Sequence, residues 1–205
     1  MGLRASIFAA MYDRCSRSSE EAGLAAMRES LLAEAGGNVL EIGGGTGANL
    51  QFYEGTADSV VVTEPEPAML RKLEQRAAKQ APLAKVVSAP AEDLPFADGS
   101  FDTVVSTLVL CGVDDQPRTL GEIRRVLKPG GRLLFIEHVR SDDAALARFQ
   151  DRINWLNHAL VGCDCNRRTL AAIEAAGFAV AHVEQTDLPK APKFTRPAIV
   201  GAANS

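Results

Sequence analysis

Four glycines stand within five residues in the run Glu41-Ile42-Gly43-Gly44-Gly45-Thr46-Gly47-Ala48. Lacking a Cβ, such a backbone can turn sharply and come close to a ligand. No Lys-Ser or Lys-Thr follows, so the run is not a phosphate-cradling loop. Glu41, two residues before the first glycine, would repel a pyrophosphate. It would attract an ammonium, directly or through water. Glu64 lies 21 residues after Gly43, at a spacing where a carboxylate can accept both hydroxyls of a ribose. Cys111, Asp114, Glu137 and His138 are the candidates for work on a second reactant. His138 could be a general base or simply a hydrogen-bonded strand end, and Glu137 carries the same two readings. Cys111 could act directly, although free cysteine is mostly a small buried hydrophobe. His158, Cys163 and Cys165 offer three ligands without Cys-x-x-Cys spacing, so no metal is expected.

These residues need elements to position them. Asn38 to Ile42 reads as a strand ending in the glycine cluster, and a helix is expected from about Thr46 to Tyr53. Ser59 to Thr63 is a β-branched strand that ends at Glu64-Pro65. Pro67 fits the first turn of a helix, and Met69, Leu70 and Leu73 follow at helical spacing. Lys85 to Ser88, Phe101 to Thr107, and Arg132 to Val139 read as further strands. A helix carrying Leu120, Ile123, Val126 and Leu127 stops at Lys128-Pro129-Gly130-Gly131. Helices are expected over Ala144–Leu160 and Thr169–Ala176, and strands over Phe178–Val183 and Pro197–Ala202. Phe149 and Trp155 read as core or pocket wall on the 144–160 helix. Alternating strands and helices imply an α/β fold, with a parallel sheet covered on both faces. In such sheets the ligand sits outside the carboxyl ends of the strands.

Composition narrows the partners. The chain has 205 residues, 46% of them hydrophobic and 5% aromatic, with net charge −4. That is enough apolar residue for a core without disulfides. There is neither a basic excess nor a basic stripe with stacking aromatics, so no nucleic acid is expected as a partner. No apolar run approaches the length of a membrane span. The seven-residue run from Ala5 to Met11 is too short, and too soon followed by charge, for a signal peptide. Four cysteines without export signals fit a cytoplasmic protein with reduced thiols. Leu3, Ile7 and Met11 recur every fourth residue and read as a lid stripe. No motif speaks to oligomeric state.

The glycine run satisfies two patterns at once. Gly43-x-Gly45-x-x-Ala48 is a dinucleotide fingerprint, and Glu-x-Gly-x-Gly-x-Gly is an adenosylmethionine-binding form. Later motifs separate them: Ala91-Glu92-Asp93-Leu94-Pro95-Phe96, Asp98-Gly99-Ser100-Phe101-Asp102, and Arg125-Val126-Leu127-Lys128-Pro129-Gly130-Gly131. The series resembles that of the class I S-adenosylmethionine-dependent methyltransferases, including the ubiquinone/menaquinone C-methyltransferases, from about Val39 to Val139. Thr107-Leu108-Val109-Leu110-Cys111, Phe135-Ile136-Glu137-His138-Val139, Gly162-Cys163 and Glu174-Ala175-Ala176-Gly177-Phe178 are similar to the alkyl-thiol S-methyltransferases, which in animals are membrane-anchored.

The resemblance implies a Rossmann-like, mostly parallel seven-stranded sheet in one domain over residues 1–205. Residues 1–37 would be a helical lid, 38–139 the cofactor core and 140–205 the acceptor side. It implies S-adenosylmethionine as cofactor and S-adenosylhomocysteine as product. Gly43, Gly45 and Gly47 would shape the loop around the methionine moiety, with Glu41 and Asn49 beside it. Glu64 would take the ribose hydroxyls and Pro65 pack on the adenine. Ala91 and Glu92 would meet the adenine edge, Thr107 and Leu108 line the cofactor, and Tyr12 close over the methionine end. Pro90 stands where an adenine-binding Asp is common, so Glu92 or a carbonyl would have to serve. The implied activity is methylation of a small-molecule acceptor, with a thiol or hydrosulfide the specific expectation. Alternatives are O-, N- or C-methylation of a phenolic, heterocyclic or quinone-like metabolite. More remote are a nicotinamide-dependent oxidoreductase and a non-catalytic cofactor-binding module.

Overall fold

The computed structural model describes residues 13–14 and 16–205. Tyr12 and the Leu3, Ile7, Met11 stripe lie outside them. A turn over Glu20–Leu24, kinked at Gly23 (φ +133°), leads into helix α1 (Ala25–Leu32). Then follow β1 (Asn38–Ile42), β2 (Ser59–Thr63), α2 (Pro67–Gln80), β3 (Lys85–Val87) and β4 (Phe101–Thr107). The chain continues through α3 (Gln116–Val126), β5 (Leu127–His138), α4 (Ala144–Val161), α5 (Thr169–Ala175), β6 (Ala179–Asp187) and β7 (Pro197–Asn204).

Local chemistry sets the helix starts. The Glu66 carboxylate accepts from the Ala68 amide with Pro67 at the first position of α2. Asp115 accepts from the Arg118 amide at α3, and Asp143 from the Ala145 and Leu146 amides at α4. Such caps satisfy amides that the helix itself leaves unpaired. Helix α4 ends on Gly162 in the left-handed conformation (φ +73°). The helix expected over 46–53 is not formed. Gly47 sits at φ +86°, outside helical space, and only a short 3₁₀ turn, Leu50–Phe52, remains.

The seven strands run in the order β3-β2-β1-β4-β5-β7-β6. Neighbours from β3 to β5 pair in parallel, and β7 runs antiparallel between β5 and β6. This is the mostly parallel seven-stranded α/β sheet that the resemblance implied. Side chains alternate between its faces. Leu40, Ile42, Val104, Leu133 and Phe135 join Leu120 and Ile123 of α3 and Ile173 of α5 in one core. Val39, Val105, Leu134 and Ile136 join Leu31 and Leu32 of α1 in the other. Each fully buried aliphatic side chain of this kind contributes about 1.5–3 kcal/mol, so the sheet is held from both sides. Ile42 pairs with Ser106 and Thr107 with Ile136. That register brings the carboxyl ends of β1, β4 and β5 side by side.

On α4, Trp155 is 71% exposed, so it is not core. Phe149, Leu156 and Leu160 are exposed with it. Among the described residues no helix is long and apolar enough to cross a membrane.

Candidate active site

After β1 the chain makes a tight glycine turn, with Gly43 at φ +56° and Gly45 at φ +57°. A Cβ on Gly43 would fall 2.8 Å from Val109 Cγ1 and Cγ2, and one on Gly44 would meet Val62 Cγ1. A Cβ on Gly45 would meet nothing within 4 Å. The turn is thus packed on one flank and open at Gly45. The Gly44 amide donates to the Thr63 carbonyl at 2.8 Å, tying the turn to β2.

Glu64 leaves β2 next to that turn and is 6% exposed. Its Oε2 accepts from the Gly45 amide at 2.8 Å and its Oε1 from the Glu66 amide at 2.9 Å. Burial pushes its pKa up, and the two amides only partly offset this. A carboxylate has about four acceptor positions, so each oxygen keeps capacity for one further donor.

Behind the turn lies a buried polar network that the sequence did not reveal. Arg28 of α1 is 4% exposed. Its Nη1 donates to Asn49 Oδ1 at 2.9 Å and to Thr107 Oγ1 at 2.8 Å, and its Nε faces Glu20 at 3.2 Å. Asn49 Nδ2 donates to Glu41 Oε1 and to Thr107 Oγ1, both at 3.0 Å. The Tyr53 hydroxyl donates to Glu41 Oε2 at 2.7 Å. Burial raises the pKa of Glu41, while Tyr53, Arg28 and Asn49 oppose the rise. Asp13 docks on the same turn, accepting from the Thr46 hydroxyl at 2.6 Å and from Lys72 Nζ at 3.0 Å. Burial pushes its carboxyl up, but Thr46, Lys72 and Arg76 together hold it below the usual range.

The second half of the site follows β4 and β5. Leu108 takes φ +62°, a conformation an L side chain adopts only under strain. Glu137 holds the turn that follows. Its Oε1 accepts from the Ser106 hydroxyl (2.7 Å) and from the Val109 and Leu110 amides (3.0 Å each), and its Oε2 from the Cys111 amide (3.2 Å). It is completely buried. With four donors bound, Glu137 positions backbone and does not present a free base. Beside it, His138 Nε2 lies 2.8 Å from Cys163 Sγ. The ligand atoms of Cys111, His138 and Cys163 all lie within 4.8 Å of one another. The Cys111 thiol, with His138 and Asn157, holds the Cys163 pKa low, at about 4, against the opposing effect of burial. Cys111 is pushed well above the usual thiol range by its bond to Cys163, by burial and by the Glu137 charge. Among the described residues, His138 Nδ1 is buried without a partner.

The other residues singled out by sequence fall as follows. Ala91 is buried and Pro65 exposed. Glu92 Oε1 accepts from the Asp114 amide at 2.9 Å, so it anchors the approach to α3. His158 pairs with Asp164 and Cys165 approaches the Gln150 carbonyl, so neither joins Cys163 in a cluster. A cavity of about 1060 Å3 is lined by residues such as Arg140, Asp143, Arg168 and Asp187. It includes none of the glycine turn, and the chemistry lies with the turn, the carboxylates and the thiols. Arg28 and Tyr53 escaped sequence reading because each acts across the fold. A buried arginine among apolar helix residues is the one signal that could have found Arg28.

The signature of the family described as "methyltransferase domain" matches residues 40–135. The human thiol S-methyltransferase TMT1A is 36% identical over 173 residues, covering 81% of this chain and 70% of that protein. The chain belongs to the S-adenosylmethionine-dependent methyltransferases. A ubiquinone/menaquinone biosynthesis C-methyltransferase UbiE from Marinomonas sp. is 35% identical over 126 residues, 59% of this chain and 50% of that protein. A solved Thermotoga maritima S-adenosylmethionine-dependent methyltransferase, described as a possible histamine N-methyltransferase, aligns with TM-score 0.71 at 22% identity. That alignment covers 100% of this chain and 99% of that one. The cofactor of this methyltransferase is S-adenosylmethionine. The donor set suits it: a buried carboxylate with spare acceptor capacity, a glycine turn open at Gly45, and both charges at the far end, in Glu41 and Arg28.

Proposed function

We propose that this methyltransferase acts on a small thiol or hydrosulfide. The observation that carries the reading is the 36% identity to a thiol S-methyltransferase over 81% of the chain. The side chains near β4 and β5 support it. Glu137 is consumed by four hydrogen bonds and offers no free base. A thiol acceptor needs no such base. Its pKa of about 8.5 leaves a few per cent thiolate at neutral pH, already strongly nucleophilic.

Bound adenosylmethionine supplies a methyl group on a positively charged sulfur, open to in-line displacement by the acceptor. The chain's own work is to bind, orient and keep water out. Glu64 takes the two ribose hydroxyls, and Pro65, Ala91 and Glu92 meet the adenine. Gly43, Gly45 and Gly47 let the backbone approach the methionine moiety. Glu41 and Arg28, held by Asn49, Thr107 and Tyr53, provide an anion for its ammonium and a cation for its carboxylate. Leu108 lines the cofactor. Alignment of acceptor and methyl at near-attack distance can lower the barrier by about 7–11 kcal/mol.

The test is a radiolabelled methyl-transfer screen over alkyl thiols, hydrosulfide, phenols and amines. Methylation of a small alkyl thiol or hydrosulfide is expected, with a rate that climbs from about pH 7 to about pH 9 as the thiolate forms. Product from phenols or amines alone, or a flat pH profile with thiols, overturns the reading.

A further inference from the structure

Cys111, His138 and Cys163 are far apart in sequence and arrive from three different elements. Cys111 sits in the turn after β4, His138 ends β5, and Cys163 follows the glycine that closes α4. Each is fixed by its surroundings. The Cys111 amide is held by Glu137 at 3.2 Å. The Asp164 amide donates to the Cys111 carbonyl at 2.8 Å, joining the two cysteine turns. Asn157 Nδ2 donates to the Cys163 carbonyl at 2.6 Å and lies 3.6 Å from its sulfur. Among the described residues, this is the one group of three or more His, Cys, Asp or Glu side chains whose ligand atoms converge.

We propose that Cys111 Sγ, Cys163 Sγ and His138 Nε2 bind one soft divalent cation of the zinc type. Two sulfurs and an imidazole select such an ion over magnesium or calcium, which take oxygen ligands. Tetrahedral zinc, with Zn–S of about 2.3 Å and Zn–N of about 2.0–2.1 Å, sets ligand atoms about 3.5–3.8 Å apart. The observed atoms, all within 4.8 Å with one pair at 2.8 Å, reach that spacing by side-chain adjustment. Binding releases the remaining thiol protons to solvent. Two thiolates and a neutral imidazole then balance the ion's charge. Three protein ligands leave a fourth position open, as in zinc sites that take water or a substrate sulfur. Among the described residues, His138 Nδ1 has no hydrogen-bond partner. Loss of such an outer partner typically weakens metal affinity 10–100-fold, so the ion exchanges readily and is removed by chelators. The site stands whether or not the acceptor is a thiol.

The test titrates the full chain, reduced and metal-stripped, with cobalt(II). Thiolate-to-cobalt charge-transfer absorption and the strong visible bands of a tetrahedral ion are expected to saturate at one equivalent and to disappear on adding zinc. Cys111→Ser and Cys163→Ser should each lose most of the charge-transfer intensity, and His138→Asn should weaken binding tenfold or more. Cys165→Ser should change nothing. Retained calorimetric binding of adenosylmethionine shows that each variant is folded. If no stoichiometric band forms in the reduced protein, or if the band survives in both Cys111→Ser and Cys163→Ser, the proposal fails. A Cys111–Cys163 disulfide formed in air, without a cobalt band under reductant, equally overturns it and assigns the pair to redox chemistry.

Discussion

Around the glycine turn, the buried polar side chains satisfy one another. Arg28, Asn49, Glu41, Thr107 and Tyr53 form one chain of hydrogen bonds of 2.7–3.0 Å. On the β4–β5 side, the two buried side-chain atoms without a partner among the described residues are His138 Nδ1 and Thr119 Oγ1. There sulfur and imidazole stand beside the Glu137 carboxylate. The difference separates two jobs. A satisfied network is rigid and suits a ligand that is always the same. Thiols with spare coordinating capacity suit a ligand that comes and goes.

The largest expected effect tests the rigid half. Arg28→Met leaves Glu41 and Glu20 without their buried cation and costs about 3 kcal/mol, or roughly 10 °C in Tm for a domain of this size. Cys163→Ser on the other side should cost far less by the same thermal melt. Equal losses would erase the contrast. Next, Glu64→Ala should weaken adenosylmethionine binding tenfold or more, about 1.4 kcal/mol or above, because two ribose hydroxyls lose a charged acceptor. Unchanged affinity by calorimetry would remove Glu64 from the ribose. Within the glycine turn, Gly45→Ala should cost only the left-handed backbone penalty of about 1–2 kcal/mol, since its Cβ meets nothing. Gly43→Ala should cost more, because Val109 must also move.

The smallest effect is one of pH. Ribose hydroxyls bind ionised Glu64, so affinity is full above its raised pKa and falls as pH drops through it. The decline should therefore start above the ordinary glutamate range, and calorimetry at successively lower pH checks it. In the cofactor-free protein the sign reverses. A carboxyl with a raised folded pKa takes its proton more readily folded than unfolded. Its stabilising contribution is then gained as pH falls and lost as pH rises. Glu64→Gln should flatten both trends.

The same contrast divides what the sequence made legible. Gly43 to Gly47 and Glu64 lie within one short strand-turn-strand unit, where spacing alone carries meaning. The strands around them were legible for the same reason. Arg28 meets Thr107 across 79 positions, a contact no local pattern encodes. His138 and Cys163 are 25 apart, and the fold, not a motif, brings Cys111 to them. Sequence grouping had instead joined Cys163 to His158 and Cys165, its neighbours along the chain. The expected 46–53 helix failed for the opposite reason: a local pattern was read as helical where Gly47 requires positive φ. Spacing reads Trp155 as core or pocket wall, yet it is exposed.

Glu137 belongs to neither half. The turn it ties carries Val109, which rests against the glycine turn, and Cys111, which belongs to the thiol cluster. Loss of this one carboxylate would leave three amides and a hydroxyl without their acceptor, and would loosen both contacts at once.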